Sequence, residues 1–183
     1  MNTDGSASEQ LGVAGGGGIV RDESGNWVIG FARNIGRAFS FIAELWALRD
    51  GFSICLARNF LTLEVEMDAK ILVDMLTDTN NVNIAIYPLV DDCRHLASQF
   101  LQVRFKHCYR EANRCADSLA RVGSQQSPDF LLFYSPPVGV ELVFNLDFNG
   151  LYYNRRCLDV TPKFLILASF LPKNHMKISL SPL

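Results

Sequence analysis

Residues 13–35, VAGGGGIVRDESGNWVIGFARNI, decide the fold. Residues 13–20 read as a glycine-rich turn running into a strand. The polar run RDESGN (21–26) is a hairpin turn, and WVIGFARNI (27–35) is the next strand. An antiparallel meander therefore opens the chain. Its first strand would carry Asp4, yet only three residues precede that aspartate. Strands usually have about five or six residues, so a short or cut first strand is expected.

Downstream, residues 41–57 place Ile42, Leu45, Trp46, Leu48 and Phe52 on one helical stripe, with Gly51 a minor interruption. Residues 60–68 alternate as a strand does: Leu61, Leu63, Val65 and Met67 point one way, and Glu64, Glu66 and Asp68 the other. Helices follow at 69–77 and 86–100, the latter with Pro88 in its first turn. Residues 101–109 alternate again. Residues 111–123 read as a last helix, with Gly123 as its C-terminal stop. The order β-β-β-α-β-α-α-β-α implies an α/β domain over residues 1–125. Residues 126–183 read as a tail, with a small hairpin expected in 140–156 around the Asn149–Gly150 turn. The loop at 80–86 is nearly neutral, and residues 159–183 show no usable periodicity.

The bulk numbers exclude several classes. A chain of 183 residues, 49% hydrophobic and 20% charged, suits a folded domain rather than a disordered one. A formal charge of −2 with 17 basic residues gives no global positive field for a nucleic acid, although bound cations can supply one locally. Cys55, Cys93, Cys108, Cys115 and Cys157 are odd in number and widely spaced, with no CxxC pair or zinc-type histidine partner. Reduced thiols in an intracellular protein are expected. No secretory leader pattern opens the chain. The stretch FLILASFL (164–171) falls short of the roughly 20 apolar residues that span a bilayer.

Four carboxylates sit in recognisable local patterns: Asp4 in NTDGSAS, Glu44 in AELWALRDG, Asp68 in LTLEVEMDAK and Asp117 in REANRCADSLA. Brought together from separate segments, they would offer the hard oxygen ligands that Mg²⁺ requires. Each also has a bland reading. Asp4 before a glycine is an ordinary turn residue. Glu44 would be a surface glutamate, and Arg49, five residues on, is off the ideal ion-pair spacing. Asp68 ends a strand face already carrying Glu64 and Glu66. Asp117 is one polar position on an amphipathic helix.

Five blocks, in order, carry a resemblance: NTDGSAS, GGGGIVRDESGNWVIGFARNIG, AELWALRDGF, LEVEMDAK and KHCYREANRCADSLA. Residues 1–123 resemble the ribonuclease H superfamily. More closely, they resemble plant ribonuclease H-like domains related to the terminal domain of non-LTR retrotransposon polyproteins. Residues 128–156 resemble the short Pro-Pro tail that follows such plant domains. The resemblance implies a ribonuclease H-like fold, a mixed five-stranded sheet with helices on both faces. It implies two Mg²⁺ ions, with Mn²⁺ able to substitute, held by Asp4, Glu44, Asp68 and Asp117. Asp4 would bridge both ions, and Glu44 would hold the second ion near the ribose 2′-hydroxyl. His107 would assist proton transfer or product release, although a histidine ending a strand also suits a backbone hydrogen bond. Arg110, Asn113 and Arg114 would meet phosphate, and Gly5 and Ser6 the RNA strand. A helix cap at Asn113 and a plain turn at Gly5 and Ser6 are the structural alternatives.

The implied activity is endonucleolytic hydrolysis of the RNA strand of an RNA–DNA hybrid by a monomer with no membrane partner, in the nucleus or the cytoplasm. A nucleic-acid-binding or protein-binding module with weak or absent catalysis is the alternative. A nuclease acting on other nucleic acids and an unstable gene product are further readings.

Overall fold

The computed structural model describes residues 1–7, 12–77, 87–127 and 129–150. Six strands form one sheet: β1 (Asn2–Ala7), β2 (Val13–Arg21), β3 (Trp27–Arg37), β4 (Thr62–Met67), β5 (Gln102–His107) and β6 (Phe130–Phe133). Their spatial order is β5-β4-β1-β2-β3-β6. The meander β1-β2-β3 and the β3–β6 pair are antiparallel, whereas β1–β4 and β4–β5 are parallel. The helices are α1 (Ser40–Ala57), α2 (Lys70–Thr77), α3 (Tyr87–Ala97), α4 (Arg114–Gln125) and α5 (Val138–Phe148). A 3₁₀ turn, Arg110–Ala112, leads into α4.

The glycine run expected as a turn lies inside β2, and the reason is close packing on both faces. Neighbouring residues of a strand face opposite ways. At Gly17 an added Cβ would stand 2.2 Å from the Ala120 backbone nitrogen of α4. At Gly16, one residue back, it would stand 3.2 Å from the Ala47 Cβ of α1. So α1 and α4 sandwich the middle of the sheet at near-backbone distance. Gly123 belongs to the same packing: it lies within α4, against the Arg33 carbonyl, and does not end the helix.

Two apolar clusters result. Leu45, Leu48 and Phe52 of α1, with Val65 and Met67 of β4 and Leu72, Val90 and Cys93, fill the larger one. Complete burial of each large aliphatic or aromatic side chain there contributes about 1.5–3 kcal/mol. Ile19, Cys115, Leu119 and Val140 form the second, beneath α4 and α5. The expected face of β4 is buried at Val65 and Met67 but not at Leu61, which is 67% exposed.

Three further expectations change. The strand carrying Asp4 has six residues, an ordinary length. The sheet has a sixth strand, β6, supplied by residues assigned to the tail. The hairpin expected in 140–156 is replaced through Phe148 by α5. That helix docks by Val140, by Phe144 edge-on to Trp27, and by the Arg21–Asp147 ion pair at 2.5 Å. Residues 151–156 of that hairpin, the loop at 80–86, Cys157 and the stretch 164–171 lie outside the described residues. Among the described residues, Cys55, Cys93, Cys108 and Cys115 form no disulfide. No described helix is long and apolar enough to cross a membrane.

Candidate metal centre

Asp4 stands in the middle of β1, buried at 4% exposure. Asp68 follows the last residue of β4, the parallel neighbour of β1, and its carbonyl accepts the Lys70 N–H as α2 begins (3.0 Å). Glu44 comes from α1, on the helix face turned into the protein, at 7% exposure. Each offers one carboxylate oxygen, and the three oxygens lie within 4.8 Å of one another.

Gly5 explains how α1 comes so near. An added Cβ there would stand 2.3 Å from the Glu44 backbone nitrogen and 2.6 Å from the Ala43 carbonyl carbon. The bare backbone at Gly5 lets the helix press on β1 beside Asp4. Gly5 therefore packs the helix that bears Glu44, and it lies in a strand rather than a turn. Ser6, half-buried, pairs with Gly15 in the same ladder.

The electrostatics are those of like charges crowded out of water. Burial raises the Glu44 carboxyl well above the usual range, and the Asp4 and Asp68 charges push it further. Burial also raises Asp4, with Asp68 adding to the rise, while a hydrogen bond from Glu44 partly offsets it. Without a cation, a proton on Glu44 shared with Asp4 relieves the repulsion. Glu44 Oε2 remains buried with no hydrogen-bond partner. An orphaned acceptor within a carboxylate trio fits a hard divalent cation, which would satisfy the oxygen and displace the proton.

The other sequence candidates lie around this trio. Asp117, in the first turn of α4, is not part of it. Its carboxylate is held by Arg121 at 2.9 Å and Arg110 at 3.2 Å, although its charge still acts on Asp4. His107 ends β5 as an exposed side chain, its ring edge-on to Tyr109 at 5.5 Å. It pairs in register with Met67, the residue before Asp68. Arg114 opens α4, and Arg110 is exposed just ahead of it.

Asn113 departs most from expectation. It is 1% exposed, so it presents nothing to a nucleic acid, and its side chain makes no cap bond. Its amide nitrogen instead donates to the Thr3 carbonyl at 2.9 Å. Asn2 and Glu66, which sequence reasoning passed over, complete this network. A groove of about 1240 Å³ runs between the ends of β2 and β4, and none of the trio lines it. The carboxylate geometry, not the size of a cavity, marks the site.

The family model described as "Reverse transcriptase-like" matches residues 2–123, which hold all four carboxylates. The chain belongs to this family. One reverse transcriptase-like relative is a protein of Arabidopsis thaliana, provisionally named a ribonuclease H protein. It is 33% identical over 156 residues, 85% of this chain. The chain spans 25% of that relative's length. Among solved structures, ribonuclease H1 of the archaeon Halobacterium salinarum is 25% identical with a TM-score of 0.63, over 67% of this chain and 93% of that one. A ribonuclease H1 isolated from compost, solved with an RNA/DNA hybrid, is 25% identical with a TM-score of 0.62, over 67% of this chain and 94% of that one. This reverse transcriptase-like chain thus shares the ribonuclease H-like fold: a mixed sheet flanked by helices, with an acidic cluster that could coordinate a divalent metal.

Proposed function

We propose that this chain is a divalent-metal-dependent endonuclease that hydrolyses the RNA strand of RNA–DNA hybrids. The observation that carries the reading is the buried trio Asp4, Glu44 and Asp68, three crowded carboxyl groups with an orphaned Glu44 oxygen. A fold does not look after such repulsion without some return, and a site for Mg²⁺ or Mn²⁺ accounts for it. Bound there, a pair of such ions supplies an activated water and charge stabilisation at the scissile phosphate. Asp4, Glu44 and Asp68 would hold the ions. Asp117 would join them by exchanging its arginine partners, and the exposed Arg110 would then be available to a phosphate. His107, exposed at the end of β5 and paired with Met67, would assist proton transfer or product release. Hybrid preference would rest on contacts to 2′-hydroxyls. The hybrid in the related compost enzyme's structure supports this substrate class.

One observation favours the alternative, a binding module of the same fold with weak or no catalysis. Asp117 is committed to two arginines and stands outside the trio. End-labelled RNA–DNA hybrid incubated with Mg²⁺ or Mn²⁺ separates the two readings. The nuclease reading expects cutting of the RNA strand only, lost in Asp4→Asn and Asp68→Asn and in EDTA. Binding of hybrid by folded wild-type protein without cutting would establish the module instead.

A further inference from the structure

The carboxylates have a second tier beneath them. Asn2 and Asp4 are two residues apart on β1 and so share a face. Glu66 and Asp68 have the same spacing along β4, and Asn2 and Glu66 are register partners. One step down from the site, therefore, a polar row runs parallel to it. The Asn2 amide nitrogen donates to Glu66 Oε2 at 3.0 Å and to Asn113 Oδ1 at 3.4 Å. Asn113 Nδ2 donates to the carbonyl of Thr3, the residue before Asp4, at 2.9 Å. The Asn113 carbonyl also accepts the N–H of Asp117 at 3.0 Å, in the first turn of α4. Both amides are buried, Asn113 at 1% and Asn2 at 5% exposure.

We propose that Asn113 is a positioning residue: with Asn2 it forms a buried amide clasp that fixes β1, β4 and α4, and hence Asp4, Asp68 and Asp117, relative to one another. The chemistry asks for this residue type. Position 113 must donate to a carbonyl and accept from an amide at once, without charge. An asparagine does both, an aspartate lacks the donor, and an aliphatic side chain lacks both. A buried polar network is costly when incomplete, so losing one member loosens the rest. The clasp bears no ligand itself. It acts through the strand and helix ends that carry the carboxylates, as groups behind a metal site do. Its role in catalysis rests on the nuclease reading above, whereas its effect on cation binding does not.

The test uses the full chain with Asn113→Ala and Asn2→Ala, the second leaving the Asn113–Thr3 bond in place. Mn²⁺ binding is titrated by loss of the free-ion EPR signal, and hybrid cleavage is measured for kcat and KM, with folding checked by circular dichroism. Folded Asn113→Ala should bind Mn²⁺ about 10–100-fold more weakly and lose kcat by a similar factor, with KM for the hybrid held. Asn2→Ala should show a smaller drop in the same direction. If Asn113→Ala does not fold, Asn2→Ala decides the matter. Folded variants with wild-type Mn²⁺ affinity and kcat, even at a lower melting temperature, overturn the proposal. So does a raised KM at unchanged kcat, which would make Asn113 a substrate contact. If the wild type binds Mn²⁺ but cuts no hybrid, the nuclease reading falls and the Mn²⁺ comparison still decides the clasp.

Discussion

Helix α1 buries two carboxylates six residues apart, and their surroundings are opposite. Asp50, 4% exposed, is gripped by the Arg33 guanidinium through both Nε and Nη2. Arg33 in turn lies over the rings of Trp46 and Phe130. Glu44, 7% exposed, meets two more carboxylates and leaves one oxygen without a partner. A fold that can pair a buried charge does so at Asp50. Its failure to do so at Glu44, on the same helix, marks the site. One carboxylate holds β3 to α1, and the other belongs to a cluster that could coordinate a divalent metal.

Substitutions at the two positions should therefore separate activity from stability. The largest effect expected is on cleavage. Asp4→Asn or Glu44→Gln should lower hybrid hydrolysis on the order of 10³-fold, while the metal-free variant melts no lower than wild type because a crowded, buried carboxyl is replaced by a neutral amide. Asp50→Asn should do the reverse. Breaking its buried pair should cost about 3 kcal/mol, the low end of the usual range because the Arg33 side chain is 28% exposed. Cleavage per folded molecule should persist. Denaturant melts beside single-turnover assays would show both, and equal loss of activity in the two variants would erase the distinction.

Gly5→Ala probes the contact that seats Glu44. A Cβ 2.3 Å from the Glu44 nitrogen forces α1 away from β1. Overpacking of this kind costs about 1–3 kcal/mol, and cleavage should fall further than the stability loss explains. An activity equal to wild type in folded Gly5→Ala would show that the close approach is not needed.

The smallest effect is a pH slope. Asp4 and Glu44 hold their protons more tightly in the metal-free folded state than in the unfolded one. The folded state therefore binds more protons, and stability is lost as pH rises above the ordinary carboxylate pKa of about 4. Asp50, also raised, contributes in the same sense in both proteins. In EDTA, melting temperature should fall from about pH 5 upward more steeply in wild type than in Glu44→Gln. Mg²⁺ should flatten the wild-type curve. Parallel curves for the two proteins in EDTA would contradict the shared proton.

Periodicity made α1, β4 and the β2–β3 hairpin legible, because their apolar patterns are regular and their turn is polar. It could not show β6 and α5. Residues 130–133 are four apolar residues without alternation, and α5 has hydrophobic residues around most of its circumference, so Asn149–Gly150 was the loudest local signal and pointed to a hairpin. The glycines of β2 and Gly123 were misread for a related reason. Gly15, Gly16, Gly17 and Gly123 let α1 and α4 approach the sheet, and that depends on residues more than twenty positions away. Asp4, Glu44, Asp68 and Asp117 stand out through motif resemblance, and the spacing of Asp117 and Arg121 fits a helical ion pair, but no pattern in one dimension shows that Arg110 also takes Asp117. Nor could it show that Asn113 would turn inward, or that Asp50 would be the paired twin of Glu44.

The central claim is that the Asp4–Glu44–Asp68 trio binds a divalent cation in place of a proton. Calorimetric titration of Mg²⁺ into wild type, Glu44→Gln and Asp50→Asn, in buffers of different ionisation enthalpy, tests it most directly. Wild type and Asp50→Asn should bind Mg²⁺ with proton release, and Glu44→Gln should bind far more weakly and release fewer protons. Folded wild type that takes up neither Mg²⁺ nor Mn²⁺, or Glu44→Gln that binds as well as wild type, would contradict it.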